Sequence, residues 1–129
     1  MAQIKYNLGN LGTEVYSTNE TVIGTWIDGK PLYRKVINLN CPKCSKEGTF
    51  ADANTDVSSL NIDYIIFKNI IRVSNNTVMN YDRVDVATKY GGMVWYNIAN
   101  KCIMTRHNSM GYNGASITAI IEYTKTTDA

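Results

Sequence analysis

A chain of 129 residues is long enough for one domain with a real core and too short for several. A hydrophobic fraction of 44% and a charged fraction of 19% exclude an intrinsically disordered chain. The formal net charge of +2, with no basic run longer than two adjacent residues, excludes the electrostatic footprint of a nucleic-acid binder.

The opening residues Met1-Ala2-Gln3-Ile4-Lys5 hold no apolar stretch of signal-peptide length. The most apolar segment, residues 62–73, is interrupted by Asp63, Lys68, Asn69 and Arg72 and cannot cross a membrane as a helix. The expectation is a protein made in a cytoplasm. Three cysteines, an odd count, fit a reducing compartment better than a disulfide framework. Nine tyrosines against two phenylalanines favour strands, and surfaces that are apolar and hydrogen-bonding at once.

Ser17-Thr18-Asn19-Glu20 has capping-box spacing, but β-branched residues and a glycine follow, so at most one helical turn is expected there. Residues 21–27 and 32–39 read as paired strands. Asp28-Gly29-Lys30-Pro31 between them is a hairpin signal, because glycine accepts the positive φ of the turn and Pro31 must sit where no ladder bond is needed. Residues 55–60 suit another short helical turn.

Residues 62–73 are apolar on both faces, as in a central strand covered on both sides, with Lys68-Asn69 as a bulge or a turn within it. Ser74-Asn75-Asn76 turns the chain into a strand at 77–81. Gly91-Gly92 marks a loop, followed by a hairpin of 93–98 with 101–106 turning at Ala99-Asn100. At the end, Ile117, Ala119, Ile121 and Tyr123 alternate with Ser116, Thr118, Glu122 and Thr124, and only Ile120 breaks the period of two. About eight or nine strands with few helix signals predict an all-β, antiparallel β-sandwich, of which the jelly-roll is one form.

Two stretches carry a family resemblance. One runs from Val15 through Glu20 to Ile23-Gly24-Thr25-Trp26-Ile27-Asp28-Gly29-Lys30-Pro31-Leu32-Tyr33-Arg34-Lys35. The other covers residues 109–128, with Gly111-Tyr112 ahead of Ile117 and Glu122-Tyr123-Thr124-Lys125-Thr126-Thr127-Asp128 at its end. In order and separation they resemble a small β-sandwich module of bacteriophage and prophage tail-fibre and baseplate (receptor-binding) proteins, of the kind found in phages of Firmicutes. The resemblance divides the chain into an N-terminal extension, residues 1–13, and a sandwich domain, residues 14–129. It implies a virion tail component made in the host bacterial cytoplasm and assembled as a homotrimer. Its partners would be host surface polysaccharide and other tail proteins, with neither nucleic acid nor membrane insertion. It brings no catalytic residues, and Trp26, Asp28, Gly29 and Pro31 read as a structural turn with a packed tryptophan. Residues 38–90 match it only loosely, and Cys41-Pro42-Lys43-Cys44 lies outside its pattern.

The Cys41–Cys44 spacing is half of a zinc site. Completion would need Cys102 and His107, which lie five apart on a predicted strand and so face opposite sides. The reading is a loop turn with two free thiols, and no metal or cofactor is expected. A redox role would need a helix N-terminus in a βαβ unit, which the pattern lacks. His107, the one histidine, is expected at the surface.

No G-x-S-x-G or H-E-x-x-H motif occurs. Asp52 with Asp56, and Asp82 with Asp85, have polar neighbours and no apolar pocket of the kind that raises one carboxyl's pKa in glycosidases, so they read as turn formers and solvated charges. The expectation is a non-enzyme. Trp95 and Tyr96 must face opposite ways, one inward and one toward an interface or ligand. Trp95, with Asn108, Tyr112 and Asn113 in the loop 107–114, forms the candidate glycan-binding set.

The functional expectation is a trimeric tail domain that attaches to host surface glycan. The alternatives are an assembly factor or cap for a longer fibre, and a glycan-degrading tail enzyme.

Overall fold

The structure is a computed structural model that describes residues 15–74, 76–81, 83–84 and 88–129. The expected extension 1–13 and the acids Asp82 and Asp85 lie outside the described residues. Nine strands follow in order: β1 (Thr21–Thr25), β2 (Pro31–Leu39), β3 (Ala51–Asp56), β4 (Ile62–Ser74), β5 (Thr77–Asn80), β6 (Arg83–Val84), β7 (Gly91–Asn97), β8 (Cys102–His107) and β9 (Ser116–Lys125). Among the described residues the only helical pieces are three-residue 3₁₀ turns at Ser58–Leu60 and Met110–Tyr112.

The strands form two antiparallel sheets, β1-β2-β9-β4-β5 and β3-β8-β7-β6, arranged as a sandwich. The strands β2, β3, β8 and β9 make nested pairs, β2 with β9 in one sheet and β3 with β8 in the other. Hairpins β4–β5 and β7–β8 complete the sheets.

Alternation decides which side chains fill the space between the sheets. On β9, Ile117, Ala119, Ile121 and Tyr123 are buried, whereas Thr118, Ile120 and Glu122 are half-buried on the outside. Their inward neighbours are Leu39 on β2, Ile70 on β4 and, from the opposite sheet, Ile103 on β8 with Val94 and Tyr96 on β7. Each fully buried Ile or Leu contributes about 1.5–3 kcal/mol relative to exposure.

The β1–β2 hairpin forms where Asp28-Gly29 places it. The Trp26 N–H donates to the Lys30 carbonyl at 2.8 Å, the Gly29 N–H to the Trp26 carbonyl at 2.9 Å, and the Lys30 N–H to Asp28 Oδ1 at 3.0 Å. Gly29 has φ +88°, which a Cβ would strain. Trp26 packs beside Tyr64, ring centroids 6.3 Å apart.

Three sequence expectations need correction, and the strand β3 has no counterpart among them. Gly91-Gly92 is not a loop but the start of β7, and both glycines are buried. The reason is Tyr81, 1% exposed, whose ring lies where a side chain at Gly92 would be: a Cβ there would sit 2.8 Å from two ring carbons and 2.9 Å from the Tyr81 carbonyl oxygen. Gly92→Ala is therefore expected to cost about 1–3 kcal/mol through overpacking, read as a fall in the urea midpoint. Second, residues 55–60 are not one turn: Thr55 and Asp56 finish β3, and only Ser58–Leu60 is helical. β3 itself, Ala-Asp-Ala-Asn-Thr-Asp, escapes sequence reading because it has no large apolar residue and is held by its register with β8.

Third, β4 is central and continuous, with a bulge at Lys68 between Phe67 and Asn69, but the described residues do not cover it on both sides. Ile65, Phe67 and Ile70 pack inward. Tyr64, Ile66 and Val73 on the outer side are 60%, 38% and 44% exposed.

Candidate functional site

One end of the sandwich gathers most of the chemistry-bearing side chains. β8 delivers His107 inward at its last residue, following the buried Ile103 and Thr105. The loop after β2 brings Cys41 and Pro42 to the same place, and the 3₁₀ turn Met110–Tyr112 closes over them. Contrary to the surface position expected for it, His107 is fully buried, because the period of two puts it on the core side.

The imidazole has a defined tautomer. The Ser109 N–H donates to Nδ1 at 3.3 Å, so Nδ1 is unprotonated. Nε2 then carries the proton and donates to the Pro42 carbonyl at 2.7 Å. Cys41 Sγ lies 3.8 Å from the same Nε2. Burial pushes the His107 pKa below its ordinary value and the Cys41 thiol above its own.

These observations decide the chemistry of the pair. A Cys–His nucleophile needs an unprotonated ring nitrogen facing the sulfur, but Nε2 faces it with its proton in place. The thiol itself donates to the Tyr112 carbonyl at 3.2 Å. The Cys41–His107 pair is thus arranged as a structural polar contact, not as an activated thiolate.

The burial of neutral His107 has a consequence for stability. Its folded pKa is depressed, so below about 6.5 the unfolded chain takes up a proton that the folded chain does not. Stability is complete above that pH and falls as pH drops toward the folded pKa, by at most about 1.4 kcal/mol per pH unit. Urea denaturation of the wild type between neutral pH and the carboxylate range is expected to show this slope. His107→Gln is expected to remove it, and a slope unchanged in the variant would assign the effect elsewhere.

The remaining soft ligands are scattered. Cys44 Sγ contacts the Lys46 and Thr49 carbonyls at 2.9 and 3.1 Å, and all three cysteines are free thiols. Cys102 is on the opposite side of β8, its sulfur 3.5 Å from Met104 Sδ. Among the described residues no group of three His, Cys, Asp or Glu side chains converges on one point.

Three of the four residues expected to bind glycan sit in this same scaffold. Asn108 is buried; its Oδ1 accepts from the Gly91 N–H at 2.9 Å and its Nδ2 donates to the Lys89 carbonyl. Asn113 pairs with Cys44 through both backbone groups, at 2.7 and 2.8 Å. The Tyr112 ring lies between the Arg72 guanidinium, 3.9 Å from its centroid, and the edge of His107 at 5.5 Å. The Asn108 and Asn113 amides hold loop backbone together, a role that only the fold reveals.

Trp95 is different. Tyr96 packs toward the core, so Trp95 points to the outer face of the four-stranded sheet. Register sets Trp95 beside Met104, Met93 beside Arg106, and Arg106 beside Asp52. Arg106 makes a forked pair with Asp52 at 2.6 and 2.9 Å and covers Trp95 and Phe50 at 5.1 and 5.8 Å from their centroids. That pair holds the Asp52 carboxyl below the usual carboxylate range. Asn54 and Asn97 flank the same face by register. Asp56 also lies on this strand, but its Oδ1 takes the Ser58 N–H and caps a turn.

No family model, no curated protein and no solved structure matches this chain.

Proposed function

We propose that this chain is a bacteriophage tail domain that attaches the particle to host cell-surface glycan, working as a homotrimer. The resemblance of residues 14–128 to tail-fibre and baseplate modules supplies the biological setting. The observation that carries the binding role is the outer face of the four-stranded sheet. There Trp95, with Arg106 over its ring, shares the face with Asn54, across β8 from it, and with Asn97, two residues along β7 and holding the Asn100 N–H through its Oδ1. An indole stacks on the apolar face of a pyranose, and amides and a carboxylate at its border can bind hydroxyls. Three copies would present three such faces, and avidity would turn a weak single-site affinity into firm adsorption.

The reading makes two demands. The protein should be present in purified virions by mass spectrometry, where an assembly factor would be absent. It should also bind wall polysaccharide from a susceptible Firmicutes host, and Trp95→Ala should abolish that binding while leaving the fold intact. Polysaccharide shortened on incubation would instead mark a glycan-degrading enzyme. A protein missing from virions, or one whose glycan binding is indifferent to Trp95, sinks the reading.

A further inference from the structure

We infer that Asp52 makes the Trp95 face selective for uncharged polysaccharide, by occupying Arg106 and leaving Trp95 and Phe50 as two stacking platforms beside the pair. This deepens the attachment reading and rests on it for the general class of ligand, a glycan.

Register brings these side chains together. β8 lies between β3 and β7. On β8, Arg106 is opposite Asp52 of β3 on one side and Met93 of β7 on the other. Phe50 directly precedes β3, and Trp95 follows Met93 along β7. The Arg106 guanidinium thus has a ring on each side of its strand, with centroids 5.8 Å away at Phe50 and 5.1 Å away at Trp95. Phe50 is 56% exposed, Trp95 is half-buried, and Met93 continues the apolar surface. Both rings are mounted on one side of one sheet. They suit successive sugars along a chain, whereas clamping the two sides of a single sugar would need rings that face each other.

Charge decides which chains fit. A guanidinium takes a phosphate or carboxylate through two parallel N–H donors. Arg106 already gives that fork to Asp52, Nε to Oδ1 at 2.6 Å and Nη2 to Oδ2 at 2.9 Å. The pair holds the Asp52 carboxyl below the usual carboxylate range, so it stays ionised in mildly acid solution. Asp56, farther along the same side of β3, adds a second negative charge, and the donor it holds is the neutral Ser58 N–H. In β3, β7 and β8 the charged side chains are Asp52, Asp56 and Arg106, an excess of one negative charge, with neutral His107 facing inward. An anionic sugar arriving at Trp95 meets two carboxylates and a guanidinium whose fork is filled. A carboxylate has about four lone-pair sites and the fork uses two, so uncharged sugar hydroxyls can donate to Asp52 while its ion pair stays closed.

Wall polysaccharide of the susceptible host, separated by anion exchange into an uncharged and a polyanionic fraction, provides the probes for titration calorimetry. The wild type is expected to bind the uncharged fraction with an affinity that changes less than about twofold between low and high salt. It should bind the polyanionic fraction about tenfold more weakly or worse. Phe50→Ala, at an exposed position, is expected to weaken binding of the uncharged fraction about fivefold or more. Asp52→Asn keeps the shape of the pair and releases the charge of Arg106. It is expected to raise affinity for the polyanionic fraction about tenfold and to make that binding salt-sensitive. A wild type that prefers the polyanionic fraction overturns the inference. So does an Asp52→Asn variant, folded by circular dichroism, that leaves the binding of both fractions unchanged, or a Phe50→Ala variant that binds the uncharged fraction as the wild type does. Trp95-dependent binding confined to the polyanionic fraction would leave the attachment reading standing and remove only this inference. A wild type that binds neither fraction removes both.

Discussion

Truncating Ile121 to alanine is expected to lower the unfolding free energy by about 2–5 kcal/mol. Ile121 is fully buried on β9, opposite Lys35 of β2 and Phe67 of β4 in register, and beneath the second sheet. Removing its outer carbons leaves a void that neighbours on three strands cannot fill without disturbing their ladders. Ile120→Ala, one residue away on the outer face, should cost less than Ile121→Ala, because its side chain is only partly buried. The pair of urea titrations tests the sandwich directly. Equal losses at the two positions would mean that β9 is covered on both sides within one chain.

Arg34→Ala is expected to cost about 2–4 kcal/mol, most of it from Glu122 left behind. Arg34 is 5% exposed and Glu122 13%, and the guanidinium holds Glu122 Oε2 through Nε at 2.9 Å and Nη2 at 2.5 Å. The guanidinium also donates to the Val15 carbonyl at 3.5 Å and lies 4.9 Å from the centre of the Tyr16 ring, so it tethers the segment ahead of β1. Lys68, 3.9 Å from Glu122, moderates the loss. Replacing both partners with leucine should bring stability back to within about 1 kcal/mol of the wild type, since two desolvated charges are then exchanged for apolar packing. A single substitution costing under about 1 kcal/mol would show the pair to be solvated.

Much of the fold is legible in the sequence where local chemistry decides it. Asp28-Gly29 specifies a turn because only glycine takes φ +88° without strain, and β9 announces itself because its inward residues are large and regularly spaced. β3 is silent, since its inward positions are Ala51, Ala53 and Thr55, too small to make a pattern, and its place depends on β8. Gly92 reads as a loop for a related reason: what demands glycine there is Tyr81, eleven residues earlier, across a contact that no local rule encodes.

The candidate site is legible in part. That Trp95 and Tyr96 face opposite ways follows from the period of two, and the fold decides which faces out. The same rule applied to Cys102 and His107 correctly separates them. The fates of Asn108 and Asn113 depend on loop backbone geometry, and their amides are drawn inward to Gly91, Lys89 and Cys44.

The position of β9 bears on how the chain acquires its structure. It is the middle strand of its sheet and the last of the nine in order, and its partner residues Arg34 and Glu122 are 88 positions apart. Until β9 docks, the β1–β2 and β4–β5 hairpins have no shared neighbour in that sheet. Closing so large a loop carries an entropic penalty before any contact rewards it, which places folding in the millisecond-to-second range typical of β-sandwiches. On a ribosome adding roughly 5–20 residues per second, the sheet must wait for its final strand to emerge. During that interval the apolar edges of β2 and β4 are open to other nascent copies.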